Sequence, residues 1–406
     1  MLITHPWMGT GGSEATTMWA IQAFQQAGAE ITFVTTSPFD VERFNQIYGT
    51  AVDPEKLTYI RTPHLPGVRN GASLFHLQYS VFQRHCRRLA PAFDLCVSGY
   101  NLVDFGKPGV QLIGDYTWSE NLRRQVDPDA NSRRRHRDGL IRRAYLGFGN
   151  LLRGPVRPLA QRQDLVLANS AWMQRLMASD SVGLPACPIV FPPVGYASHL
   201  EEDAASPDRR SPLTFLCLGR ISREKRIESM IRILAQVRQR GFPVTLSIAG
   251  GADDADYGEE IHRLTAKHAN WIRLTGFLGS RERAELLAST SFGIHARPAE
   301  AFGIAVAEMA GAGCLPFVPN LGGPAEIVSD PDLRYLDESD AVEKIVALLG
   351  SPELQRSKRE ALAVAMERFR PERFVESLLN EIGHFLEPAV PSERQNQLPE
   401  IASPSR

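Results

Sequence analysis

The chain has 406 residues, of which 43% are hydrophobic and 22% charged, with a net charge of −1. That length suits two domains of roughly 150–200 residues, and the composition excludes a disordered or fibrous chain. Residues 1–200 carry 20 Lys/Arg against 15 Asp/Glu and residues 201–406 carry 25 against 31, an imbalance too small to indicate nucleic acid.

The opening MLITHPWMGTGG has no basic segment ahead of a long apolar one, so no secretory leader is expected. No apolar run approaches the ~20 residues of a membrane span. Five scattered cysteines (Cys86, Cys96, Cys187, Cys217, Cys314) form no CxxC pair. They argue against a disulfide framework or zinc site and predict a reducing, cytoplasmic setting.

In chain order, LITH (2–5) reads as a strand and EATTMWAIQAFQQAG (14–28) as a helix closed by Gly28. Between them, MGTGGSE (8–14) offers Gly9, Gly11 and Gly12, which let backbone approach a phosphate. Glu14 replaces the third glycine of a dinucleotide loop, and a plain strand-to-helix turn is the other reading. Strands follow at 31–36, 57–60, 94–98, 110–114, 164–169 and 188–191, with helical stretches near 72–90 and 133–162. Residues 121–163 hold eleven arginines against Asp127, Asp129 and Asp138, with apolar residues interleaved as in LIRRAYLGFGNLLRG. Such a stretch suits an anionic membrane surface or a lipid-linked phosphate; a solvated helix face is the alternative. The Pro-, Ser- and charge-rich run from 192 to 212 lacks periodicity. It places an interdomain linker at 196–212, after a first domain of residues 1–195.

The second half gives strands at 213–219, 244–250, 271–276, 291–296, 314–320 and 332–336. A helix over 223–240 places Ile227, Met230, Ile231, Leu234 and Val237 on one stripe. Strand–helix alternation in both halves predicts two Rossmann-like parallel α/β sheets, 1–195 and 213–370, with ligands in the cleft between them. A last helix (371–386) is expected to pack back on the first domain, and the tail 387–406 to be disordered.

Two segments carry chemistry. In CLGRISREKR (217–226) a strand ends at Gly219 and a helix is expected near Ser222 as N-cap. Arg220, Arg223, Lys225 and Arg226 crowd its entrance. Cations at a helix N-terminus are unfavourable unless an anion, here a diphosphate, binds there. A solvated basic turn with Glu224 and Glu228 as partners is the other reading. In HARPAEAFGIAVAEMAGAG (295–313), Glu300 sits in a loop after a strand. Phe302 and Gly303 lead into a helix, and Glu308 lies within it beside the small Ala305 and Ala312. Ribose hydroxyls suit such a carboxylate, although an exposed helix glutamate is equally compatible. NLGGPAEIV (320–328) reads as turn chemistry. The three DxD pairs (Asp127/Asp129, Asp254/Asp256, Asp330/Asp332) fall in turn-like contexts, so no metal site is expected.

Taken in order, GGSE, ANS (168–170), GR…K (220–225), the glutamates eight positions apart and GGP resemble glycosyltransferase family 4, the retaining family with the two-domain GT-B fold. EAFGIAVAEMAGAG…GGPAEIV is also similar to mannosyltransferases that extend lipid-linked oligosaccharides from GDP-mannose. The resemblance implies transfer of a hexose, mannose among the options, from a nucleotide diphosphate sugar to a glycan or lipid-linked acceptor, without a metal or other cofactor. It implies that Arg220 and Lys225 hold the diphosphate, that Glu300 lies by the sugar, and that Glu308 holds the ribose. Phe302, Gly303 and Ile304 would offer backbone amides, and Gly12 would face the diphosphate. The base would be read through backbone near Phe277 and Leu278. The family often has a histidine where this chain has Asp115, which leaves Asp115 to touch the hexose, position the acceptor or cap a turn. His5 is a second cleft-edge candidate. Contact with the inner face of a membrane is an added expectation from residues 121–163. A non-catalytic sugar-nucleotide-binding protein on the same fold is the alternative function, and a pyridoxal-phosphate-dependent glycan phosphorylase a further one.

Overall fold

The computed structural model describes residues 1–63, 65, 74–126, 139–179, 184, 187–195 and 210–387. The first half contains β1 (Leu2–Thr4), α1 (Gly12–Gln26), β2 (Ile31–Thr35), α2 (Val41–Tyr48), β3 (Leu57–Arg61) and α3 (Phe75–Leu89). It continues through β4 (Cys96–Ser98), β5 (Val110–Ile113), α4 (Glu120–Val126), α5 (Leu140–Arg153), β6 (Leu165–Ala168) and α6 (Ala171–Met177). The second half runs β7 (Ser211–Leu218), α7 (Ile227–Gln239), β8 (Thr245–Ala249), α8 (Ala255–Ala266), β9 (Ile272–Gly276) and α9 (Ser280–Ser289). Then come β10 (Thr290–Ile294), α10 (Ile304–Gly311), β11 (Leu315–Pro319), α11 (Gly323–Ile327), β12 (Arg334–Tyr335), α12 (Glu338–Leu349), α13 (Pro352–Met366) and α14 (Pro371–Leu386).

Each half builds a six-stranded sheet, ordered β3-β2-β1-β4-β5-β6 and β12-β11-β10-β7-β8-β9. All pairings are parallel. The two sheets therefore share one doubly wound order. In each, the strand order reverses beside the first strand, between β1 and β4 and between β7 and β10. Loops leaving those strands diverge to opposite sides and open a crevice. The fold thus brings the turns after β1, β4, β7 and β10 to one interdomain cleft. The strands are short, apolar runs such as LPFVP in β11, buried at every position, as a sheet covered by helices on both faces requires.

Several expected boundaries shift. β7 begins at Ser211, so Ser211 and Pro212 belong to the sheet rather than to a connection; residues 196–209 of the expected linker lie outside the described residues. Residues 188–191 form one bridge, Ile189 to Ala168, and no strand. Pro188, Pro192 and Pro193 bracket this segment and lack the N–H a ladder needs. The helix expected over 133–162 spans Leu140–Arg153 and stops at Gly154, whose φ of +78° ends it ahead of Pro155. Residues 127–138 and the tail 388–406 lie outside the described residues. Helix α14 lays Phe374, Leu378 and Ile382 into the first domain's core, against Ile3, Met18, Ile21 and Phe24.

Candidate functional site

The cleft encloses about 830 Å³, the scale of a bound small molecule. Gly12 and Asp115 line its first-domain wall. Arg220, Lys225, Glu300 and Glu308 line the other, together with the backbone turn of Phe302, Gly303 and Ile304. Every site residue expected from the sequence therefore faces one space, as do His5, Phe277 and Leu278.

Glu300 is the electrostatic centre. β10 ends at Ile294, and the chain turns through Ala299, a non-glycine residue at φ +51°. Lys225 Nζ donates to both Glu300 oxygens, at 2.8 and 3.0 Å. His295 Nε2 lies 2.7 Å from Glu300 Oε2. Burial would raise the Glu300 carboxyl, but Lys225, then His295 and Arg297, outweigh it and hold it well below the usual range. The carboxylate is thus ionised. Burial opposes the Arg297 charge, yet Glu300 and the first domain's Tyr116 keep that guanidinium protonated. Burial lowers His295, which Glu300 only partly offsets. The sequence pattern assigns His295 and Arg297 no role; the turn of the loop after β10 is what brings them to Glu300.

The Glu300 loop is held from behind. Gly322 sits at φ +85°, and a Cβ there would lie 2.7 Å from the Glu300 carbonyl oxygen and 2.8 Å from its nitrogen. Gly323 N donates to that carbonyl at 2.8 Å. The GGP turn is therefore the seat of the glutamate loop. From the other domain, Ser170 Oγ donates to Ala301 O at 2.6 Å and accepts from Met173 N to cap α6. Glu326, in the same GGP segment, accepts from Ala171 N and Trp172 N at 3.1 and 3.2 Å. The ANS and GGP segments so clamp the domains together behind the site.

The basic segment differs from the sequence expectation. Arg223–Lys225 form a single 3-10 turn, Arg226 stands at φ +51°, and α7 starts only at Ile227. The Ser222 hydroxyl caps nothing and is buried without a partner. The cations also disperse. Arg223 pairs with Glu260 at 3.0 Å and covers the Tyr257 ring, while Glu228 accepts from the Tyr257 hydroxyl at 2.5 Å. Arg220 pairs with Asp253. Lys225 and Arg220 alone of the four line the cleft. The first turn of α10 adds amides that have no acceptor within the helix.

Glu308 lies 3.3 Å from Arg283 of α9; burial raises its carboxyl, and Arg283 only partly offsets this. The Phe302 ring points away, into the second core beside Phe191 and Phe369, which leaves its backbone for the cleft. Opposite, Gly12 abuts Ile304, whose side chain fills the space a Cβ would need. Asp115 accepts from Tyr100 Oη, Asn101 Nδ2 and both Thr117 N and Oγ1, at 2.8–2.9 Å. It caps a turn and orients those groups at the cleft edge. His5 is 3% exposed, and neither ring nitrogen makes a well-directed hydrogen bond within the protein. Burial lowers its pKa against the pull of Glu14, so it stands in the wall as a neutral imidazole. The Asp254 and Asp330 pairs serve as caps, on α8 and on the 3-10 turn before β12. Among the described residues, no three His, Cys, Asp or Glu side chains converge as metal ligands would.

Residues 212–351 match the family described as Glycosyl transferases group 1. The match falls within the second domain. It contains the whole Lys225–Glu300 cluster, Glu308 and the GGP seat. A relative, the GDP-Man:Man(3)GlcNAc(2)-PP-Dol alpha-1,2-mannosyltransferase of Dictyostelium discoideum, is 26% identical over 209 residues. That match covers 48% of this chain and 41% of the relative, so it spans less than half of that protein. Solved structures share the fold across nearly the whole chain. Sucrose-phosphate synthase from Thermosynechococcus elongatus superposes with TM-score 0.70 at 14% identity, covering 94% of this chain and 98% of that one. Anabaena HepE, in complex with UDP and glucose, gives 0.66 at 15% identity over 94% and 99%. WaaG, a glycosyltransferase of lipopolysaccharide biosynthesis, gives 0.65 at 14% over 93% and 99%. The matched domain is thus the second half of a GT-B fold, two Rossmann-like domains about one cleft.

Proposed function

We propose that the chain is a retaining, metal-independent hexosyltransferase that moves a hexose from a nucleotide diphosphate sugar to a glycan or lipid-linked acceptor. The observation that carries this reading is the ionised Glu300, bridged to Lys225 and flanked by Arg220 and the α10 N-terminus in one interdomain cleft. A departing diphosphate develops negative charge, and these groups are preorganised to stabilise it. Lys225 and Arg220 would exchange Glu300 and Asp253 for phosphate oxygens. Glu308 would release Arg283 to hold the ribose. Glu300, held too acidic to act as a general base, would instead bind sugar hydroxyls and steady positive charge on the ring. A phosphate oxygen of the leaving group would then serve as the base for the attacking hydroxyl on the same face, as retention requires. Asp115 and His5 would contact acceptor or hexose from the other wall. The mannosyltransferase relative makes GDP-mannose the first donor to test.

The test is turnover of GDP-mannose and UDP-hexoses, with the product anomer read by NMR coupling constants. Retention of configuration and activity unchanged by EDTA are expected. An inverted product, or EDTA-abolished activity restored by a divalent cation, would remove the reading.

A further inference from the structure

Helix α5 faces the wrong way for a soluble surface. Its inner side packs on α3: Tyr145 Oη accepts from His76 N at 3.1 Å, and the His76 ring fills the space beside Gly149. Its outer side carries Leu140, Ala144, Phe148 and Leu151, spaced four, four and three residues apart, with Ile141 adjoining. Leu140 is 84% exposed, Ile141 89%, Leu151 73% and Phe148 51%. Contiguous apolar exposure of this kind marks an interaction surface. Charge decides the partner. Neither α3 nor α5 contains an acidic residue, while Arg84, Arg88 and Arg143 are exposed on them. Glu120, the carboxylate that reaches α5, is held by Arg142 and Arg123. A second copy would set like charges against each other; an anionic headgroup layer would complement them.

We propose that the outer face of α5 inserts into an anionic lipid bilayer. The helix that α5 packs on reaches the cleft: Phe75, the first residue of α3, lines it, is half-exposed and stacks on Trp7 at 4.3 Å. A lipid-linked acceptor held in that bilayer would lie on the same domain as this aromatic edge of the cleft, a step that rests on the acceptor reading above. Docking is driven by apolar insertion, with arginines as auxiliaries. The sequence expectation paired the arginines of 121–163 with interleaved apolar residues; of those arginines, Arg133, Arg134, Arg135 and Arg137 lie outside the described residues.

The experiment is flotation on phosphatidylcholine vesicles with and without phosphatidylglycerol, at low and high salt. Binding to the anionic vesicles is expected, with a fraction surviving salt because insertion is not screened. The triple variant Leu140→Ser, Ile141→Ser, Leu151→Ser should partition roughly tenfold or more weaker while binding GDP and UDP as before. A second readout uses a polarity-sensitive dye on Leu151→Cys, with Val364→Cys of the second domain as control. The five native cysteines are all buried, and Val364 is exposed. The dye should shift blue on vesicles at Leu151→Cys alone. No binding to anionic vesicles, equal shifts at both dyes, or binding wholly salt-labile and untouched by the triple variant would overturn the proposal. A concentration-dependent dimer lost in the triple variant would assign the face to a second copy and overturn it too. Nucleotide binding on the same samples tests the donor site separately, so failure of the docking face is distinguishable from failure of the transferase reading.

Discussion

Glu300 and Lys225 are paired in the cleft wall, and their substitutions should separate by property. Lys225→Ala and Arg220→Ala should each weaken nucleoside diphosphate binding by about 1.5–3 kcal/mol, the range for charge-assisted contacts. Asp253→Asn should act in reverse, because it frees Arg220 from its carboxylate partner; calorimetry reads all three. Glu300→Gln should mostly lower kcat, since the proposed reading sets Glu300 against the reacting sugar. The Glu300 pKa is depressed in the fold, so its ionised form stabilises the native state above the unfolded value of about 4.3, and that contribution is lost as pH falls through the folded value. The stability deficit of Glu300→Gln should therefore be full near neutral pH and shrink in acid; a deficit independent of pH in urea titrations would contradict it. Lys225, Glu300 and Glu308 were legible because a strand–loop–helix motif fixes them by spacing. Arg297 and His295 were not, since whether a side chain just past a strand faces core or cleft depends on how the loop turns. Asp115 was legible as a cleft residue but not as the acceptor of four hydrogen bonds, which arrive partly from the loop after β4.

Helix α1 reaches the second domain through Gly12, where Ile304 of α10 occupies the space a side chain would take. Gly12→Val should hold the domains apart. Activity should fall at least tenfold, while calorimetry shows diphosphate binding to the second domain's Lys225 and Arg220 largely kept. Equal loss of both would mean that Gly12 itself binds phosphate. Breaking the clamp with Ser170→Ala removes both an α6 cap and a bond to the Glu300 loop, and should cost about 1 kcal/mol of stability in thermal melts. At this scale the alternation of strands and helices, and hence both sheets, was readable from apolar runs alone. The failures were local: prolines dissolved the strand at 188–191, and a left-handed residue at Arg226 postponed α7 by one turn. Neither follows from hydrophobic pattern, because each is set by backbone geometry rather than by burial.

Among the described residues, the first domain's chain runs out at Val194–Gly195, and the chain comes back to that domain near Phe369–Pro371. Val194 N donates to Phe369 O at 2.9 Å, so these two segments touch. Helix α14 then returns Phe374, Leu378 and Ile382 to the first core. Deleting residues from 371 onward should destabilise the first domain by several kcal/mol, at about 1.5–3 kcal/mol per buried apolar side chain, and leave the second domain folded. Limited proteolysis would show which half is cut. The same return has a consequence in time. During synthesis the first domain leaves the ribosome long before residues 371–386 exist, so it must wait with an open groove along α1 while the second domain is made and folds. Nascent chains stalled before Pro371 should carry a protease-resistant second domain behind a sensitive first one, the reverse of their order of emergence.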